Sequence, residues 1–226
     1  MRKSLLKSYV ATIMVLAAAL AAWSGNEFPL SEIGGWLAIL MWTFAVGPQS
    51  VAFPRHRVQI TAADCFLFYC LVVHGPMGGM AAAFVGTLGA IVLGDRRPNA
   101  QQAAFNLGAI PLSAGLAGVV FELLRADSSP FVAIIAAAAV FGIVNTLLVI
   151  VVLKLEGKTD VRQALLGPAA GFIASVFVTA ILGHVLARVS TMGPGDWTAA
   201  GLVATCFLVG SVLTMWRDRS EDEVAA

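Results

Sequence analysis

Eight runs of apolar residues decide the fold class of this chain. They cover roughly 5–23, 35–53, 61–74, 76–94, 102–124, 130–153, 168–187 and 198–216. A helix crossing the hydrocarbon core needs about 20 such residues, within about 17–25. The connectors are short and polar, among them PRHRVQ, GDRRPNAQQ and RADSSP, and none is long enough to form a soluble domain. Only 12% of the 226 residues are charged and 59% are apolar, against about 25% charged in a soluble domain. The net charge of +1 supplies no long-range field for nucleic acid. A soluble globular protein, a disordered chain and a nucleic-acid binder are thereby excluded. The expectation is an all-α, polytopic membrane helix bundle. Residues 1–226 form one integral membrane domain, with 217–226 as a short cytoplasmic tail.

Lysine and arginine orient such a bundle, because they are retained on the cytoplasmic side. With the N-terminus inside and eight segments crossing, Arg2, Lys3, Lys7, Arg55, Arg57, Arg96, Arg97, Lys154, Lys158, Arg162, Arg217 and Arg219 face the cytoplasm. Arg125 and Arg188 face outward. The expectation is both termini in the cytoplasm, in the inner membrane of a bacterium. The first run follows MRK and ends in ALAAWSG, so it also reads as a signal peptide; its cleavage would leave seven spans. The run 61–74 makes about 21 Å of helix, short of the roughly 30 Å core. With 76–94 it reads as a hairpin whose tip is His74-Gly75-Pro76.

Small residues spaced by four mark where membrane helices approach closely, since lipid gives no hydrophobic drive for packing. Gly167, Gly171, Ser175, Thr179 and Gly183 make one such stripe. The stripe fits packing within the bundle, or docking of a second copy or another subunit. Pro111 should kink its helix and free a carbonyl, and Pro48 should do likewise near the end of the second run. Cys65, Cys70 and Cys206 lie in apolar runs with no metal-site spacing. They read as small apolar packing residues.

Polar side chains inside spans are costly, so each is a functional hypothesis. They fall into two layers. Toward the cytoplasm stand Gln49, Asp64, Asn106 and Asn145, edged by Arg55, Arg57, Arg96 and Arg97. Asn106 and Asn145 differ in depth by only about 6 Å and are expected to meet; Asp64 is expected to pair with an arginine. This layer reads as structural glue. Toward the outside stand His74, Glu122 and His184, each within about one turn of its helix end. Two imidazoles and a carboxylate suit a cation, a proton shuttle or a ligand pocket; with no diagnostic spacing, they also read as interfacial residues that reach water separately. No HExxH, GxSxG or Walker pattern is present, so an enzyme is not expected, and no pattern names a cofactor.

The order of features resembles a known family. AFPRHRVQITAADCFLFYCLVVHGPMGGMAAAFVGTLGAIVLGD is followed by RRP, then AAFNLGAIPLSAGLAGVVFELL, and later VFGIVNTLLVIVVLKL. These segments resemble the multi-pass N-terminal membrane module of bacterial signalling proteins that carry HD-GYP or GGDEF domains. The resemblance covers about residues 30–215. It implies a membrane sensor or ligand-binding module. No catalytic domain follows Arg219 in this sequence, so the resemblance implies an output held by a partner protein. The layout is also distantly similar to substrate-binding subunits of energy-coupling-factor transporters, which have fewer spans. An accessory subunit of a larger membrane complex is the remaining alternative. The expected partners are the lipid bilayer and a protein, or a second copy, through the small-residue faces.

Overall fold

The computed structural model describes residues 2–25, 33–53, 58–94, 97–157, 168–190 and 201. Among them are six helices and one short β-hairpin. The helices are α1 (Arg2–Ser24), α2 (Ile33–Val46), α3 (Ala62–Leu93), α4 (Ala100–Arg125), α5 (Pro130–Glu156) and α6 (Pro168–Ser190). All but α2 are long and apolar enough to cross a membrane. The chain is therefore a polytopic helical membrane protein. The last apolar run, 198–216, lies outside the described residues but for Gly201.

Two runs depart from a plain helix. The run 35–53 stays helical only to Val46, because Gly47 and Pro48 follow and Pro48 has no N–H to continue the ladder. Ser50–Phe53 then forms β1, which pairs antiparallel with β2, Val58–Thr61, in the register Ser50↔Thr61 and Phe53↔Val58. The fold is thus all-α apart from this hairpin. At about 21 Å, α2 is too short for the roughly 30 Å core.

The second departure is a reversal inside α3. Gly75 has φ 69 and ψ −165, a conformation open essentially to glycine alone, and Pro76 follows it. The chain doubles back there. A Cβ on Gly79 would lie 3.1 Å from the Cβ of Leu71, and one on Gly86 would lie 2.8 Å from the Cβ of Ala63. Residues that far apart along one straight helix could not touch. Residues 62–74 and 76–93 are therefore two antiparallel arms, about 20 and 27 Å long.

Close contacts fix the direction of every neighbour. Met14 and Leu20 of α1 meet Gly108 and Gly115 of α4, so those helices run parallel. Thr43 meets Gly86, and Gly47 meets Ala90, so α2 runs parallel to the second arm. Phe131 faces His184 and Phe141 faces Phe172, so α5 and α6 are antiparallel. Gly183 of α6 sits on the first arm: its Cβ would stand 2.7 Å from the Phe68 Cβ. Ser24, Gly75, Arg125, Pro130 and Ser190 consequently share one end of the bundle, here termed the tip end. Arg2, Val46, Ala62, Leu93, Ala100, Glu156 and Pro168 share the other, the base end.

Local signals set the ends. Asn99 and Gln102 form a reciprocal capping box at the start of α4, at 2.9 and 3.2 Å. Ser129 accepts from the Val132 N–H at 3.3 Å, and left-handed Gly157 stops α5. The buried hydroxyls of Thr43, Thr87 and Ser113 donate to carbonyls one turn back at 2.7, 2.7 and 2.8 Å. Each is thereby satisfied on its own helix and presents a smooth face. Exposed Val15, Ile143, Leu147, Ile181 and Val185 form the lipid-facing surface.

The tip conformation yields a direct expectation. Gly75→Ala forces a Cβ into a glycine-only region and should lower stability by about 1–3 kcal/mol. Thermal unfolding of the detergent-solubilised variant reads this as a lower Tm; an unchanged Tm would contradict the reversal.

Candidate functional site

The base half of the bundle contains a cavity of about 380 Å3 between the hairpin, α4, α5 and α6. Its polar lining comes from three elements: Asp64 on the first arm, Asn106 on α4 and Asn145 on α5. Thr61 and Thr87 add hydroxyls, while Leu67, Ile110, Phe141 and Phe172 supply apolar wall. Pro98 lies at the base end of the lining, and Ile110 is about 18 Å further along the chain's rise. The cavity therefore runs from the base toward mid-membrane.

Each polar group has a local reason to be there. Asp64 is the third residue of α3, with Thr61 at the N-cap. A carboxylate in the first turn is favoured by the positive end of the helix dipole. Asn106 lies two turns into α4, after the Asn99 cap. Asn145 lies three turns before Gly157. Small residues of the second arm, Ala83, Gly86 and Ala90, line the opposite wall and leave the space open. Phe141 makes an edge contact with Phe68 at 5.7 Å, which braces the deep end. A carboxylate, two carboxamides and two hydroxyls in an apolar setting are the few placed polar groups that a small polar ligand needs. Asn106 also lines a second, smaller cavity of about 260 Å3 between α1, α4 and α5.

Arg97 is exposed beside Pro98. Arg96, Arg55 and Arg57 lie outside the described residues, so pairing of Asp64 with any of these three is an expectation only. Gln49 is partly buried and its backbone carbonyl accepts from the Ala62 N–H at 3.3 Å. This ties the β-hairpin to the start of α3.

The outer residues lie at the tip end, in two places. Glu122 stands against the hairpin tip: a Cβ on Gly75 would lie 3.5 Å from its Oε1. Its Oε2 accepts from Arg125 at 2.6 Å. His74 is the residue before that tip. His184 is 9% exposed, and its ring packs edge-on to Phe131 at 6.3 Å. None of the three lines the cavities of the base half. Among the described residues, no three His, Cys, Asp or Glu side chains are grouped to hold a metal ion.

The stripe on α6 faces inward. Gly171, Ser175, Thr179 and Gly183 are buried, and the Thr179 hydroxyl donates to Ser175 and Val176 carbonyls at 3.1 and 3.0 Å. Gly167 lies outside the described residues. Cys65 and Cys70 are buried.

What the sequence missed is the cavity itself. Asp64, Asn106 and Asn145 were visible as polar residues, but nothing in their spacing said that three helices leave space between them. The signal that bears on it is the small-residue run Ala83, Gly86 and Ala90. The shared cavity gives an expectation for the asparagines. Replacing Asn106 or Asn145 by Leu should each change stability by about 0.6–2 kcal/mol, and the double variant should be less than additive. A full double-mutant cycle by thermal unfolding measures it; strict additivity would mean the two sites act independently.

Comparison with known proteins adds one finding. The MASE9 family model matches residues 31–213. No curated protein and no solved structure matches the chain. The match gives no support to the likeness with energy-coupling-factor subunits, and it identifies no HD-GYP or GGDEF output.

Proposed function

The chain belongs to the MASE9 family of membrane-associated sensor domains, and from that premise we propose that it binds a small polar ligand within the membrane and reports its presence to a cytoplasmic partner. The observation that carries the reading is the cavity lined by Asp64, Asn106 and Asn145. It is built from the two-armed hairpin and three further helices, so a ligand touching all three residues would hold those elements in one arrangement. A ligand shifts a protein only by its differential affinity for two arrangements. A group at the seam between packed elements is where that difference is largest.

The positive-inside bias supports placing the base end, and both termini, at the cytoplasm of a bacterial inner membrane. The cavity then faces the side on which a signalling partner would act. The partner class that fits best is a cyclic-dinucleotide enzyme of the HD-GYP or GGDEF type. His74, Glu122 and His184 form a second candidate at the tip end, favoured by the contact of Glu122 with the hairpin tip. In this reading His74 and Glu122 serve as an outer, proton-responsive element beside the turn, and His184 stands apart from them against Phe131. The chain's role is non-catalytic.

Topology and partnership test this together. Reporter fusions after residues 30 and 127 should read as outside, and those after 100, 160 and 226 as inside. Purification in mild detergent should recover a signalling enzyme whose output changes in the Asn106→Leu variant. A cytoplasmic signal at 127 would overturn the orientation. Recovery of a transport ATPase pair or a large respiratory-type complex in place of a signalling enzyme would overturn the sensor reading.

A further inference from the structure

The polar cavity is built in two tiers, and four elements around it repeat the same step. On the first arm Asp64 lies toward the base and Leu67 one turn toward the tip; on α4 the step runs from Asn106 to Ile110. On α5 it runs from Asn145 to Phe141, and on the second arm from Thr87 to Ala83. At this spacing each apolar group stands about 4.5–6 Å tipward of its polar neighbour. The result is a polar collar toward the base and an apolar floor toward mid-membrane. The floor ends on the rings of Phe141 and Phe172, whose centroids are 6.5 Å apart.

The collar favours a ligand that donates. Asp64 is the one ionisable side chain among the described residues that line the cavity, and an ionised carboxylate only accepts. The Thr87 hydroxyl donates to the Ala83 carbonyl at 2.7 Å, which leaves it lone pairs alone to offer. Each asparagine carboxamide adds an acceptor oxygen beside its NH2 group. A phosphate or carboxylate would meet acceptors and a negative charge here. A bare metal ion would leave the floor unused, and among the described residues no three His, Cys, Asp or Glu side chains are grouped for one. A protonated primary amine matches both tiers: its three N–H donors suit the collar, and a short hydrocarbon or aryl body suits the floor. On its other face the second arm borders an apolar void of about 370 Å3 between α1, α2 and α4, edged by alanines and methionines. An ammonium would find no carboxylate there.

We infer that the ligand of the polar cavity is a small protonated primary amine with an apolar body, its ammonium held by Asp64 and its body seated on Ile110, Phe141 and Phe172. The amine is the signal taken by the sensing pocket proposed above, and the inference rests on that reading. Bound there, one cation ties the start of the first arm to α4 and α5, across the seam where a ligand biases the packing.

The test is equilibrium binding of radiolabelled 2-phenylethylamine to the full chain in nanodiscs, with empty nanodiscs as background. Binding should saturate. Unlabelled amine should displace the label at concentrations at least about tenfold lower than 2-phenylethanol, which keeps the body and lacks the charge. The anion 3-phenylpropanoate should not displace it. Asp64→Asn should weaken amine binding by about tenfold or more. Asn145→Asp in that background should restore it by returning a carboxylate to the collar, a rescue that a folding role for Asp64 would not give. Should Asp64→Asn fail to fold, the displacement order in the unaltered chain decides alone. Displacement by the alcohol as readily as by the amine overturns the amine class. So does stronger displacement by the anion, the result expected if an arginine at the base end governs the cavity. In either case, loss of binding in Ala83→Leu, which narrows the floor, keeps the cavity as the pocket. Amine binding that persists in both Asp64→Asn and Ala83→Leu lies outside the cavity and overturns both readings. An absence of saturable amine binding overturns the class, while the change of partner output in Asn106→Leu still judges the pocket.

Discussion

Hydrocarbon offers a backbone N–H or C=O no alternative partner, so every interruption of a spanning helix must be repaired within the protein. The reversal at Gly75 is the interruption on which this structure depends. Glycine supplies the backbone angles, Pro76 starts the return arm without an orphan donor, and neighbours close over the turn. Gly118 of α4 is tight against Pro76: a Cβ there would stand 2.6 Å from its Cα. From that turn follow the antiparallel arms, the seat of Gly183 on the first arm and the seat of α2 on the second.

The hairpin also explains why two cavities of opposite character coexist in a small bundle. Its arms are lined by alanine and glycine where they meet each other and α2, which brings backbones close. The same small residues leave space where a neighbour is further away. On the base side that space is edged by Asp64, Asn106 and Asn145. On the lateral side it is edged by alanines and methionines. The physical chemistry of each void is set by a handful of side chains on the elements opposite, and the second arm is common to both. A family of membrane-associated sensor domains needs an element with two arrangements that a ligand can bias. A short arm tethered through one glycine turn and packed between two voids is suited to that.

Much of the architecture was legible in the chain. Apolar run length marked α1, α4, α5 and α6, and the short run 61–74 ahead of His74-Gly75-Pro76 pointed to a hairpin. The β-hairpin was not legible, because SVAF continues an apolar run and VQIT is too short to show alternation against it. Pro48 was visible, yet whether proline kinks or ends a helix depends on what packs beyond it, and here β2 takes over. At the candidate site, residue identity was readable and convergence was not. Asn106 and Asn145 had matched depths on paper. That they share a space with Asp64 follows from helix directions and from small residues on a different segment.

The reversal can be measured directly as a distance. Spin labels on Ala63 and Leu93 would be separated by about 45 Å if residues 62–93 formed one continuous helix. The hairpin instead places these positions on adjacent arms, whose axes lie about 8–10 Å apart, so electron–electron dipolar spectroscopy in nanodiscs should return a short distance limited by the labels. A distribution centred near the continuous-helix value would contradict the hairpin, and with it the two cavities its arms divide.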